Sequence, residues 1–177
     1  YIPFAVGGGI RSVEDVKKII HTGADKVILN TNAVHSPALI EEIAQIFGSQ
    51  ACTIHIQAKK WDDWYECYTD CGRNQTGLDV FEWAREAERL GAGEILLSVI
   101  DHDGLQSGFD LNATEKMLDT VNIPVIAGSG AGSFEDILRV AELKPSAIAL
   151  SSILHYEKVS IKQVKQYLSE NGIEVQQ

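Results

Sequence analysis

The chain repeats itself at long range. Ile2-Pro3-Phe4-Ala5-Val6-Gly7-Gly8-Gly9 aligns with Ile123-Pro124-Val125-Ile126-Ala127-Gly128-Ser129-Gly130. In the same register Ser12, Glu14 and Asp15 meet Ser133, Glu135 and Asp136, and Leu29-Asn30-Thr31 meets Leu150-Ser151-Ser152, always at an offset of 121 residues. Self-similarity at a fixed period marks a fold assembled by repeating one supersecondary unit.

The unit is legible from hydrophobic pattern. Short apolar runs at 3–6, 26–29, 52–56, 94–99, 124–127 and 147–150 alternate with amphipathic segments at 13–21, 37–47, 80–90, 112–120, 134–143 and 161–170. In the first of these segments Val13, Val16, Ile19 and Ile20 recur at helical spacing. The apolar runs are continuous, as expected of parallel strands buried on both faces. Such βα units, each of about thirty residues, define a parallel α/β fold. The first copy of the repeat opens unit one and the second opens unit five, so the period is four units and a twofold ring has eight. The expectation is a single domain over 1–177 that supplies strands 3–8 of a (βα)8 TIM barrel. About two units, roughly 60–70 residues, would precede Tyr1 to reach the ~250 residues of that fold. A doubly wound sheet competes but gives no reason for a four-unit period.

Charge and composition exclude several functions. The net charge of −10 disfavours nucleic acid and anionic membrane as partners. The start of the chain has no signal-peptide pattern and no apolar run reaches membrane-spanning length. Cys52, Cys67 and Cys71 are an odd set, read as reduced cytoplasmic thiols rather than as a metal site. No metal and no cofactor are expected.

Barrel chemistry sits at the C-terminal ends of the strands. There Gly7-Gly8-Gly9-Ile10-Arg11 leads into Ser12-x-x-Asp15, and Gly128-Ser129-Gly130-Ala131-Gly132 leads into Ser133-x-x-Asp136. Glycines let the backbone approach an anion, and a helix N-terminus offers N–H groups to it. Tight turns alone would explain either loop. Recurrence of the loop beside a polar strand end, Asn30-Thr31 in one copy and Ser151-Ser152 in the other, favours two phosphate cradles. Gly8, Gly9, Asn30 and Thr31 would hold one phosphate; Gly130, Ser151 and Ser152 would hold the other. One substrate with a phosphate at each end follows. Between the cradles lies Ser98-Val99-Ile100-Asp101-His102-Asp103-Gly104. If the strand continues, Asp101 and Asp103 share a face, one as general acid or base and the other as orienter. A solvated Asp-Gly turn is the alternative. The stretch Trp61-Asp62-Asp63-Trp64-Tyr65-Glu66-Cys67-Tyr68 reads as a β-hairpin packed on the rim or closing over the site.

Taken jointly, residues 2–10, 23–31, 46–50, 91–97, 101–108 and 130–132 resemble the cyclase subunit of imidazole glycerol phosphate synthase. The resemblance implies a half-barrel duplication with two phosphate sites and a place in histidine biosynthesis. It implies that ammonia from a partner glutaminase attacks a bisphosphorylated ribulosyl-imidazole-carboxamide intermediate, which is closed and cleaved to imidazole glycerol phosphate. It implies further that Ser98, Asp103 and Gly104 face the middle of the substrate with Asp101 in support. Lys26 and Glu94 match an ammonia gate and Asp25 a partner-docking position; surface ion pairing at strand starts is the plainer alternative.

One departure bears on mechanism. The resemblance implies a pair of catalytic aspartates, one on the first strand, which would precede Tyr1, and one in Ile54-His55-Ile56-Gln57-Ala58-Lys59, where this chain has Gln57. An amide can hydrogen-bond but cannot cycle a proton. A serine of the seventh-strand loop is displaced as well, giving Gly128-Ser129. Gln57 therefore keeps two other readings open: an ammonia-channelling paralogue for sugar amidation in surface-polysaccharide synthesis, and a non-catalytic scaffold.

Overall fold

A computed structural model describes residues 2–176; Tyr1 and Gln177, the ends of the expected domain, lie outside the described residues. The described residues form eight strands, six of them parallel and alternating with helices and two in an antiparallel extension of the third. The strands are β1 (Ala5–Gly7), β2 (Lys26–Leu29), β3 (Cys52–Trp61), β4 (Trp64–Thr69), β5 (Asn74–Asp79), β6 (Glu94–Val99), β7 (Val125–Gly128) and β8 (Ala147–Ala149). The helices are α1 (Val13–His21), α2 (Thr31–His35), α3 (Ala38–Phe47), α4 (Val80–Arg89), α5 (Leu111–Thr120), α6 (Phe134–Glu142), α7 (Ser152–His155) and α8 (Ile161–Glu170).

The parallel strands lie in the order β1-β2-β3-β6-β7-β8, the order of the chain itself. A doubly wound sheet reverses strand order at a switch point and carries helices on both faces. Here the order never reverses. Val27, Leu29, Ile54, Ile56, Ile95 and Leu97 are buried in one core with Val16 of α1, Ile40 of α3 and Phe81 of α4. Phe109, Ala127, Ile137, Ile153, Val164 and Leu168 form a second core beneath α6, α7 and α8. This is an α/β fold with a parallel sheet, consistent with a TIM-barrel-like architecture. Burial on both strand faces is not what the structure shows: β2 and β6 alternate between buried and partly exposed positions. Helices cover one face only, so the continuous apolar runs overstate burial, and Ile28 and Leu96 on the other face are half-exposed.

Local signals explain the helix starts. Ser12 caps α1 by accepting the Asp15 N–H, Asp79 caps α4 by accepting from Phe81 and Glu82, and Ser160 with Gln163 forms a full capping box on α8. The expected hairpin is present as β3–β4, but a third strand, β5, continues it antiparallel and carries the chain directly into α4. Among the described residues no helix is long and apolar enough to cross a membrane.

The repeat holds in backbone geometry. Ala5 pairs with Lys26 and Ile126 with Ala147; Gly7 pairs with Ile28 and Gly128 with Ala149. Both pairings keep the sequence offset. Ser12 and Ser133 share extended caps (φ −149° and −146°), and Asn30 and Ser151 share φ, ψ near −130°, −87°. Gly8 and Gly9 are left-handed, as are their counterparts Ser129 and Gly130.

At Gly130 the backbone also runs against the loop after β6: a Cβ there would lie 2.1 Å from the Gly108 carbonyl oxygen. Gly130→Ala should lower stability by about 2–4 kcal/mol, because the strain and the clash add. Gly9→Ala meets open space and should cost only the left-handed strain, about 1–2 kcal/mol. Urea unfolding of the two variants checks the difference.

Candidate functional site

The chemistry-bearing side chains share one face because β3 alternates. Cys52, Ile54, Ile56 and Ala58 are buried toward the helices, while Thr53, His55, Gln57 and Lys59 lie on the opposite face. Parallel pairing with β6 sets Thr53 beside Glu94, His55 beside Leu96 and Gln57 beside Ser98. The result is a polar ladder running up the sheet.

At its lower end Lys26 Nζ lies 2.9 Å from Glu94 Oε1, and Thr53 Oγ1 donates to Glu94 Oε2 at 2.8 Å. The expected gate residues are thus an ion pair at strand starts. Asp25 beside them accepts the Phe4 N–H. In the middle His55 Nε2 is 3.0 Å from Ser98 Oγ. Burial pushes the His55 pKa down, and the Asp103 charge opposes it. At the upper end Lys59 Nζ meets Asp101 Oδ1 at 2.6 Å, and the Lys60 N–H donates to Asp101 Oδ2. Burial alone would raise the Asp101 carboxyl; these two hydrogen bonds and the Lys59 charge outweigh it and hold it below the usual carboxylate range.

This corrects the expected carboxylate pair. Strand β6 ends at Val99 and the chain enters a 3-10 turn over Ile100–His102. Asp101 is therefore turned to Lys59 instead of sharing a strand face with Asp103. Asp103 and Gly104 occupy the turn that follows, with Gly104 at φ +73°. The displaced Ser129 hydroxyl bridges back to β6, accepting the Val99 N–H and donating to the Val99 carbonyl.

A cavity of about 520 Å³ opens at the C-terminal end of β1, β2 and β3. It brings together Gly8, Gly9, Asn30, Thr31 and Gln57 of the expected site. Arg11, His55, Asp70 and Cys71, which were not singled out for the site, also line it. Arg11 was in plain view at the end of the glycine loop. His55 had a signal too, being two residues before Gln57 on an alternating strand. Asp70 and Cys71 enter from the β4–β5 turn, a contact that no local pattern reveals. Ser98, Asp101, Asp103, Gly104, Gly130, Ser151 and Ser152 lie outside this cavity.

The polar strand ends differ from expectation. Asn30 and Ser151 do not end strands; each opens a short helix, α2 and α7. Asn30 Nδ2 donates to the carbonyls of His55 and Tyr68, and the Thr31 hydroxyl donates to Asn30 Oδ1. Both side chains are engaged in joining α2 to β3 and β4, so they do not offer side-chain donors to a phosphate in this arrangement. The start of α1 is similarly occupied. Asp15 Oδ2 accepts the Arg11 N–H and the Ser12 hydroxyl proton, bonds that hold its pKa low. The groups left to receive an anion are the left-handed Gly8–Gly9 backbone, the first-turn N–H groups of α2 and the Arg11 guanidinium. No cluster of three or more His, Cys, Asp or Glu side chains placed to hold a metal ion occurs among the described residues.

Residues 1–160 match the family described as "Histidine biosynthesis protein". The imidazole glycerol phosphate synthase subunit HisF of Thermococcus onnurineus is 49% identical over 175 residues, covering 99% of this chain and 69% of that relative. This chain belongs to the HisF family. The HisF subunits of Pyrococcus furiosus and Streptococcus mutans are each 47% identical, with 99% of this chain and 70% of theirs covered. Membership agrees with the sequential parallel sheet, the glycine loops and the conserved offset between the two halves of the repeat.

The Lys59–Asp101 contact gives a pH signature. Asp101 has a lowered folded pKa, so its contribution to stability is complete above the ordinary value near ~3.9 and is lost as pH falls through the folded value. Lys59→Met should therefore lower the melting temperature above about pH 5, with the difference from the unaltered protein closing as pH falls past the ordinary aspartate range. Melting curves across that range test it.

Proposed function

We propose that this chain is the cyclase subunit of imidazole glycerol phosphate synthase, a lyase of histidine biosynthesis. It takes a bisphosphorylated ribulosyl-imidazole-carboxamide intermediate and ammonia supplied by a glutaminase partner. One observation carries the reading: two halves related by a single offset, each with left-handed residues ahead of a capped helix and a turn of helix beside it. Two such cradles suit a substrate with a phosphate at each end.

The substrate phosphates are assigned to Gly8, Gly9, Asn30 and Thr31 at one cradle and to Gly130, Ser151 and Ser152 at the other. Backbone donors replace side-chain donors at the first cradle, as the engagement of Asn30 and Thr31 requires. Ser98, Asp103 and Gly104 face the middle of the substrate, and Asp101 holds Lys59 in support. Ammonia enters past Lys26 and Glu94 at the opposite end of the sheet, with Asp25 at the docking face for the glutaminase. These strands are units three to eight of an eight-unit ring. The repeat supports that count, and so does an apolar groove of about 650 Å³ along β8 and α8, lined by Ile137, Ile148, Val164 and Leu168, where a further unit would pack.

Gln57 favours a second reading, an ammonia-channelling paralogue serving sugar amidation. General acid–base help is commonly worth 10²–10⁴ in rate, and an amide supplies none. The deciding measurement is turnover of the bisphosphorylated intermediate with ammonium salt by the full-length protein and by Gln57→Asp. Cyclisation by the unaltered protein establishes the cyclase. Tight binding without turnover, with activity gained in Gln57→Asp, establishes diversion to another acceptor.

The gate assignment predicts a split. Glu94→Gln should leave ammonium-driven turnover within about threefold and cut glutamine-driven turnover by roughly tenfold or more, since only the second needs passage through the sheet. Equal loss in both assays would place the Lys26–Glu94 pair among purely structural contacts.

A further inference from the structure

The cavity holds four titratable side chains: Arg11, His55, Asp70 and Cys71. Arg11 stays charged at all working pH values. Asp70 sits at the exposed rim with its carboxylate taken by the Asn74 amide at 2.6 Å. Cys71 is an exposed thiol on the same turn. That leaves His55, fixed within β3 and on the same strand face as Gln57. Resting on the cyclase reading above, we propose that His55 is the proton carrier of this site, an imidazole doing the acid–base work that Gln57 cannot do.

The geometry suits the role. Ser98 Oγ at 3.0 Å holds the ring through Nε2, and the Asn30 amide at 2.9 Å pins the backbone carbonyl of His55, so the ring is held from β6 and its backbone from the start of α2. The groups around it are few. Ser98 faces it from β6, and Asp103 acts on it from the turn beyond β6. Asn30, at the start of α2, reaches its backbone carbonyl. On β3 itself lie uncharged Gln57 and then Lys59, whose charge is paired with Asp101. Arg11 and Asp70 line the cavity mouth. Burial favours the neutral ring and Asp103 favours the charged one. Burial is the larger influence, so the neutral ring is favoured, and a neutral imidazole can accept a proton and release it within one cycle.

The step balances without another reactant. As ammonia adds to the substrate carbonyl, a C–N bond forms and the C=O π pair moves to oxygen. His55 carries a first proton from the attacking nitrogen to that oxygen, giving a hydroxyl and an NH2 group, and then a second from the NH2 group to the hydroxyl, whose C–O bond breaks as C=N forms and water leaves. Ammonia and carbonyl give imine and water, and His55 ends unchanged. Gln57 contributes an amide hydrogen bond and no proton.

The test uses the full-length protein, its His55→Gln and His55→Ala variants, and the bisphosphorylated intermediate. Binding without ammonia is measured by calorimetry, turnover with ammonium salt across pH 5–9, and fold by thermal melting. Expected is that both variants bind the intermediate within about threefold of the unaltered protein. Their kcat should fall at least 10²-fold, and the acidic limb of the pH profile should disappear. Ring resonances of labelled histidine should show the His55 pKa moving when the intermediate binds. Rescue of kcat by His55→Gln but not His55→Ala would reduce His55 to a positioning residue and overturn the proposal. Unchanged kcat and profile in both variants, or a ring whose titration ignores bound intermediate, would overturn it as well. Failure of the unaltered protein to bind or cyclise the intermediate would instead bring down the proposed function, and this proposal with it.

Discussion

The parallel pairing of β3 with β6 runs from Thr53↔Glu94 to Ala58↔Val99, and a slip of one residue along it would turn each side chain to the wrong face. In the observed register, Ile54, Ile56, Ile95 and Leu97 go under the helices. Thr53, His55, Gln57, Lys59, Glu94 and Ser98 go to the other side. Apolar burial therefore selects the register, and the register sets the chemistry. Fully burying each of those large aliphatic side chains is worth about 1.5–3 kcal/mol, whereas the exposed part of the ladder contributes little by ion pairing. The core holds the site in place, and the site adds little to the core.

The same economy explains why the repeat survives in backbone geometry while its side chains have diverged. Gly8 and Ser129 occupy one left-handed position, as do Gly9 and Gly130. Gly130 must stay small because the loop after β6 lies against it; Gly9 stands in open space. Asn30 and Ser151 share a backbone conformation, yet only Asn30 ties its helix to the neighbouring strands through its amide. The β4–β5 extension exists on that side alone and supplies Tyr68, Asp70 and Cys71. The two glycine loops of the repeat thus have different neighbours, and one lies beside the added strands.

Much of this was legible in the chain. The strands at 26–29 and 94–99 and the helices at 13–21 and 161–170 coincide with the structure because Ser caps, apolar period and flanking turn residues agree there. The fixed offset gave the architecture and located both glycine loops. What the sequence could not convey was competition for hydrogen bonds. Asn30 and Thr31 carry the right groups for an anion site, and the fold uses those groups internally. The Asp101–Asp103 pair failed for a related reason: Lys59 lies 42 residues from Asp101 in the chain, and its pull into a 3-10 turn has no local signature. His55 shares the face of Gln57 only because β3 alternates, and an isolated histidine in an apolar run carries no signal of its own.

Gln57 and His55 bear on one physical problem from opposite sides. On the proposed function, a carboxylate beside the substrate would bring a fixed negative charge into a cavity proposed to receive phosphate, in a chain with net charge −10. Arg11 is the cationic side chain of fixed charge lining that cavity among the described residues. Replacing a carboxylate by an amide lowers the repulsion on the phosphate, and a largely neutral imidazole adds none. The arrangement trades a charged acid–base group for an uncharged one whose protonation follows the Asp103 field. On that proposal, negative charge brought in by the bound substrate would act with Asp103 against the lowering of the His55 pKa by burial, so binding itself would favour a proton on the ring when a departing hydroxyl needs one.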